Sequence, residues 1–462
     1  MKINATRKSH LLRVAVGSIL FTGMATNAIA DGFFKQAENV FDHYGVVVGG
    51  WANAGITYNG NQPSDGFNGP VTFGDRSSEF QVNQLNLFIQ KAVAAEGKAW
   101  DFGGRFDFMY GSDSIFTQAY GVPSYDVNTG NSMQRSNWDL NFLGSGNNRF
   151  YDIALPQAYL ETYVPVGTGL NLKVGHFYTP IGYESVPAPD NFFYTHAYTM
   201  QYGEPFTHTG ILGNYNIDSN WAAMGGLLTG SGTGGWDGGF DRQMGNWSGI
   251  MGATYTTTDK ATSLNIAGTY GNSTESSKYT KPSPWAIYSV VLKHNINDKT
   301  HLVLQHDHGF ADNAFFATSS TTGINKDAEW YGINSHLYYD VNDKLTAGIR
   351  AEWFRDQNGL RVCAPGRVSA ATDNSGNSYA ANNQFVSSCG AAPGVGATYY
   401  EFTAGVTWKP LPWLRLRPNV RYDVVGDAHG YSPYVIHGNP GSATATTVND
   451  QITFSNDFTV TF

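Results

Sequence analysis

Residues 452–462 read Ile452-Thr-Phe454-Ser-Asn-Asp-Phe458-Thr-Val460-Thr-Phe462. Large apolar side chains stand at 452, 454, 458, 460 and 462, and polar or small ones fill the odd positions. Successive side chains of a strand point to opposite faces, so this stretch has one apolar and one polar face. Termini of soluble chains tend to fray, and few of them end on an amphipathic strand capped by a bare Phe. The last strand of an outer-membrane β-barrel has both faces in use, since it closes the barrel between lipid and lumen. In that class a terminal Phe looks like the signal read by the insertion machinery, so the resemblance implies that Phe462 is an assembly signal for the barrel-assembly machinery.

The opposite end fits export. Lys2, Arg7, Lys8 and Arg13 make a basic start, Val14 to Ala25 is apolar or small, and Ala28-Ile29-Ala30 has the small-x-small form of a cleavage site. The pattern predicts a signal peptide over 1–30, followed by a periplasmic segment over 31–45 and a barrel over 46–462. A membrane-anchoring helix is the weaker alternative, because the apolar run is too short to span a bilayer. An exported chain with a barrel-type last strand belongs in the outer membrane of a Gram-negative bacterium, in contact with its lipids.

Composition agrees. Residues 1–30 carry four basic and no acidic side chains, so their removal takes the formal charge from −9 to −13. Such acidity argues against a nucleic-acid partner. Charged residues make up 14% of the chain, against about 25% in soluble domains, yet mean hydropathy is −0.30. Few charges, many aromatics and negative hydropathy coexist in a barrel wall, where alternate residues face lipid and water.

Amphipathic segments predict an all-β fold, an antiparallel up-and-down barrel of sixteen strands. They cover roughly 46–59, 80–93, 101–112, 155–165, 169–178, 205–216, 220–231, 246–257, 261–272, 284–296, 300–311, 327–341, 344–357, 399–409, 413–425 and 448–462. Tight Asn-, Asp- or Pro-bearing turns such as Asn297-Asp-Lys299 and Asn342-Asp-Lys344 alternate with long Gly/Ser/Asn-rich links. Short periplasmic turns and long extracellular loops have this alternation. Fourteen or eighteen strands follow if 113–154 or 358–398 hides a hairpin or one segment is a loop. In hydrocarbon an open sheet edge leaves costly unpaired backbone groups, so the last strand must pair with the first.

Parity assigns side chains to faces. Leu414, Leu416, Val420, Tyr422 and Val424 oppose Arg415, Arg417, Asn419, Arg421 and Asp423. Leu345, Ala347, Ile349, Ala351 and Trp353 oppose Arg350 and Glu352, and Phe102, Phe106 and Phe108 oppose Arg105 and Asp107. A charge on the lipid face near the midplane costs about 2–4 kcal/mol, so the charged faces are expected inside. Arg105, Asp107, Lys173, Arg350, Glu352, Arg415, Arg417 and Arg421 are the candidate pore-lining residues. A protruding, solvated rim is the alternative place for any one of them. Trp100, Trp221, Trp408 and Trp413 lie beside short turns, as an interfacial girdle requires.

Val174-Gly-His-Phe-Tyr-Thr-Pro-Ile-Gly-Tyr-Glu184, Asp190-Asn-Phe-Phe-Tyr-Thr-His196 and Tyr202-Gly-Glu-Pro-Phe-Thr-His-Thr-Gly210 resemble the outer-membrane β-barrel porins of the OmpL-like family. The likeness is sharpest over about 155–215. It implies a porin fold and brings no catalytic residues. Segment 179–204 is rich in aromatics and stiffened by Pro180, Pro187 and Pro189, with Pro205 just beyond it. Folded inward, it would present Glu184, Asp190, His196 and Glu204 as constriction residues; standing outward, it would be a surface loop. The sequence leaves both open.

Other chemistry is sparse. Cys363 and Cys389 share one long link, and an oxidising compartment favours a disulfide between them. His306-Asp307-His308 puts two imidazoles on one strand face beside Leu302 and Leu304, but two ligands fall short of a metal site, so none is assigned. Gly230-Ser-Gly232-Thr-Gly-Gly235 lacks the strand-to-helix setting of a nucleotide loop, and no G-x-S-x-G elbow occurs. The expected function is passive diffusion of small hydrophilic solutes, without cofactor or catalysis. The arginine-rich face of 415–421 suggests a preference for anions. A surface adhesin or receptor using loop 358–398 is the alternative, a barrel lipase a third. A homo-trimer is left open.

Overall fold

The computed structural model describes residues 43–63, 66–94, 96–117, 124–125, 132–133, 151–230, 232–233, 244, 246–272, 284–315, 326–362, 396–427, 434–437 and 446–462. The proposed signal peptide, most of segment 31–45 and both cysteines lie outside the described residues.

Sixteen strands form one closed antiparallel barrel. They are β1 (Val46–Asn59), β2 (Phe80–Lys91), β3 (Asp101–Gly111), β4 (Ala158–Val164), β5 (Leu170–Tyr178), β6 (Thr207–Asn216), β7 (Trp221–Thr229), β8 (Trp247–Thr256), β9 (Thr262–Asn272), β10 (Pro284–Asn297), β11 (Thr300–Phe315), β12 (Lys326–Asn342), β13 (Leu345–Asp356), β14 (Ala397–Leu411), β15 (Leu414–Leu416 with Asn419–Gly426) and β16 (Asp450–Thr461). A short piece, Asp152–Ala154, precedes β4 and also pairs with β3. Each strand pairs with its sequence neighbour, and β16 returns to β1 in a register running from Trp51↔Thr461 to Asn59↔Thr453. Among the described residues no helix is long and apolar enough to cross a membrane.

All sixteen expected strands are present, with ends moved by a few residues. β15 is interrupted at Arg417-Pro418, because proline has no N–H for the ladder. The tight turns owe their shape to side-chain acceptors: Asn297 Oδ1 accepts from Lys299 N–H and Asn342 Oδ1 from Lys344 N–H, each at 2.9 Å. Lys260 adopts φ 59° in a turn where Asp259 Oδ1 accepts from Ala261 N–H at 3.0 Å.

The parity of β16 holds along its length. Gln451, Thr453, Ser455, Asp457 and Thr459 are buried inside, whereas Ile452 and Phe454 are exposed on the outer wall. Exposed Leu85, Leu87, Ile89, Phe102, Phe106, Ile349, Val420 and Tyr422 continue the apolar exterior. Trp100, Trp221 and Trp408 are exposed beside the short turns, as a girdle requires.

Candidate functional site

Segment 179–206, which joins β5 to β6, folds into the barrel. Its backbone bends through a 3₁₀ turn at Ala188–Asp190 and a π turn at Thr199–Gly203. Such a path leaves many carbonyl and N–H groups without partners of their own, and buried backbone polar groups must be paired. The inner faces of the strands supply the partners.

The arginine-rich face of β15 is the main anchor. Arg417 Nη1 donates to the carbonyls of Ala188, Asn191 and Phe193 at 2.9, 2.9 and 3.0 Å. Its Nε donates to Asp457 Oδ1 at 3.0 Å, so the cation is also neutralised across the β15–β16 ladder. Arg421 Nη1 donates to the His196 carbonyl at 2.5 Å and pairs with Asp423 at 2.8 Å. Arg415 Nη1 reaches the carbonyls of Pro189 (2.5 Å) and Asn191 (3.1 Å).

β13 holds the middle of the segment. Arg350 bridges Glu184 at 2.6 Å and Glu401 at 3.0 Å and donates to the Thr195 carbonyl at 2.8 Å. Glu352 accepts from the N–H groups of Tyr198 (2.5 Å) and Thr199 (2.6 Å). Beyond the β16–β1 closure, Gln84 of β2 donates to the Val186 carbonyl at 2.8 Å and accepts from Ala188 N–H at 3.0 Å. Trp330 of β12 donates its indole N–H to the Gly203 carbonyl at 3.0 Å. At the start of the segment, Ile181 packs with Phe177, Leu212, Leu228, Ile250, Ala267 and Ile287, an apolar inner patch spread over β5–β10.

The four residues singled out in the segment divide in role. Glu184 and His196 face each other, Nδ1 to Oε2 at 3.2 Å, and both are buried. Burial works to raise the Glu184 carboxyl, but Arg350 and then His196 outweigh it and hold it well below the usual range. Burial pushes His196 down. Glu204 accepts from Gln305 Nε2, which also donates to Asp307 at 2.9 Å. Burial first and the Asp307 carboxylate second push Glu204 well up. Asp190 stays exposed.

The eight wall residues all point inward. Arg350, Glu352, Arg417 and Arg421 are buried beneath the segment, and Asp107 is buried against Arg105 at 2.5 Å. Arg105, Lys173 and Arg415 keep part of their surface open. Lys173 Nζ lies 4.2 Å from the Tyr159 ring centroid. Lys293, which parity also places inside, is exposed with Nζ 5.0 Å from the Tyr183 ring of the segment. Sequence reasoning placed Gln84 on the face opposite Leu85, Leu87 and Ile89 but gave it no role, and did not single out Lys293, Glu401 or Asp457. Their inward positions follow from strand parity, but the groups they meet are remote in sequence.

None of the curated proteins matches the chain. Among solved structures it is similar to the in-vitro folded outer membrane protein OmpT of Vibrio cholerae, with 10% identity, 90% of this chain and 97% of that chain covered, and a TM-score of 0.51. It is also similar to an anion-selective porin from Comamonas acidovorans, with 8% identity, 90% and 99% covered, and a TM-score of 0.50. At these identities the likeness is one of fold. A family match covers the entire barrel, residues 45–462, including the segment anchored inside it. The chain belongs to the family described as "Putative beta-barrel porin-2, OmpL-like".

Proposed function

We propose that the chain is a passive outer-membrane channel for small hydrophilic solutes, narrowed by segment 179–206. The observation that carries this is the anchoring of that segment on buried inner-wall side chains, while Lys173, Lys293, Arg415 and Asp190 retain open surface. A sixteen-stranded barrel is wide enough for an aqueous bore. We place the remaining passage where inner-wall and segment side chains keep open surface, at Arg105, Tyr159, Lys173, Lys293, Tyr183 and Asp190. Selection is by size and charge, and no step needs a cofactor or a chemical reaction.

The charge balance at this passage differs from a bare arginine-rich wall. Arg350, Arg417 and Arg421 are paired with carboxylates and used by the segment. The open cations Lys173, Lys293 and Arg415 carry a mild anion preference instead. Insertion through the barrel-assembly machinery, contact with outer-membrane lipids and assembly as a homo-trimer belong to the same proposal. The adhesin alternative rests on loop 358–398, of which 363–395 lie outside the described residues.

Planar-bilayer recording of the purified, refolded chain tests the channel. Stable stepwise currents are expected. An electrically silent barrel that has folded, shown by its heat-modifiable gel mobility, refutes the proposal.

A further inference from the structure

His306 and His308 point outward from β11, toward the lipid side. The strand starts at the short turn before Thr300 and ends in a long extracellular link. The pair stands six and eight residues beyond Thr300, about 20–26 Å along the strand, in register with Tyr331 and Ile333 of β12 and, through Ile333, level with Trp353 of β13. Opposite them on β10 stands Tyr288, paired in register with His308. Tyr288 Oη lies 3.4 Å from His306 Nε2 and 3.4 Å from His308 Nδ1.

For neutral rings, the partners of the other two ring nitrogens select one tautomer of each histidine. His306 Nδ1 sits 2.9 Å from the Gly332 carbonyl oxygen. A carbonyl only accepts, so Nδ1 carries the hydrogen and Nε2 holds a lone pair. His308 Nε2 sits 2.6 Å from Glu329 Oε1. That carboxylate accepts, so Nε2 carries the hydrogen and Nδ1 holds the lone pair. Two imidazole lone pairs thus converge on one phenol. Tyr288 has a single hydrogen to donate, and at 3.4 Å it serves each nitrogen poorly.

We propose that His306 Nε2 and His308 Nδ1, with Tyr288 beside them, form an open site for a divalent first-row transition-metal cation on the outer girdle. Imidazole nitrogens suit zinc, copper and nickel. Metal-ligating histidines characteristically donate their other N–H to a carboxylate or a backbone carbonyl, as Glu329 and Gly332 allow here. Phe310 stacks on the His308 ring at 4.2 Å and restrains it. Among the described residues no three His, Cys, Asp or Glu side chains gather to hold a metal. The site is therefore a two-nitrogen one, completed by the phenol oxygen or water, and suited to reversible binding.

The test is Cu²⁺ titration of the full, tag-free chain refolded in detergent, followed by electron paramagnetic resonance and calorimetry. One equivalent with couplings from two imidazole nitrogens is expected. His306→Ala with His308→Ala should lower that affinity at least tenfold, and Glu329→Gln about tenfold through loss of the supporting hydrogen bond. Equal Cu²⁺ binding by the native chain and the double variant overturns the site. Should the double variant fail to assemble, diethylpyrocarbonate labelling of the native barrel decides. Zn²⁺ protection of both histidines supports the site, and unprotected labelling overturns it.

Discussion

Phe462 and Gly50 exchange two backbone hydrogen bonds. Phe462 N–H donates to Gly50 O at 3.0 Å, and Gly50 N–H to Phe462 O at 2.9 Å. They lie at the periplasmic end of the seam between β16 and β1. A Cβ on Gly50 would stand 2.1 Å from Asn86 O and 2.9 Å from the Phe462 ring. Gly50→Val should therefore lower the assembled fraction at least tenfold, read as heat-modifiable mobility on gels. Deleting Phe462 should lower membrane levels while leaving the unitary conductance of surviving barrels unchanged; normal levels would show that the seam tolerates its loss.

Arg417 links wall and segment. Arg417→Ala leaves Asp457 buried without its cation and three segment carbonyls without a donor. Breaking a buried pair from one side typically destabilises by about 3–5 kcal/mol. Urea unfolding should show a loss of that order. Single-channel recording should show larger or noisier currents as the segment loosens, and an unchanged trace would mean that the other anchors suffice.

Glu184 and Glu204 give the pH response opposite signs. Glu184 is held well below its ordinary 4.5, Arg350 and His196 overcoming burial. Its contribution is complete above the unfolded value and is lost progressively as pH falls from there through the lower folded value. Glu204 is raised well above 4.5 by burial and then Asp307. The unfolded chain gives up that proton first, so stability declines as pH rises from about 4.5 toward the folded value. Glu204→Gln should flatten this alkaline limb in urea midpoints measured across pH and leave the acid limb in place.

Lys173 and Lys293 keep open surface beside the proposed passage. Lys173→Gln combined with Lys293→Gln should move the reversal potential in a salt gradient away from anion preference, without setting a second carboxylate opposite Glu161, the register partner of Lys173. A shift of similar size in Arg421→Gln alone would place the selectivity on the buried wall.

Strand parity made much of the fold legible. Leu416, Val420 and Tyr422 had to face lipid once Arg415, Arg417 and Arg421 were set inside, and β16 could be read the same way. Length alternation of the links then gave the strand count. The contents of the lumen were less accessible. Arg417 meets Asp457, 40 residues on, and three carbonyls more than 220 residues away, and no local pattern encodes such a meeting. Prolines 180, 187 and 189 signalled stiffness in the segment, but its direction depends on Gln84, Glu352 and Trp330 from three separate strands. The histidine pair was visible, yet Glu329 and Tyr288, which orient it, belong to the neighbouring strands.

Bilayer lateral pressure squeezes a hollow cylinder toward an oval. Segment 179–206 touches the apolar patch of β5–β10 through Ile181 and the opposite wall through Arg417, Arg350 and Gln84. It works as a cross-brace, tied at one end by packing and at the other by ion pairs. A braced ring resists flattening, so an aperture of the kind proposed would keep its outline when membrane tension changes and would gauge solute size against a rigid frame.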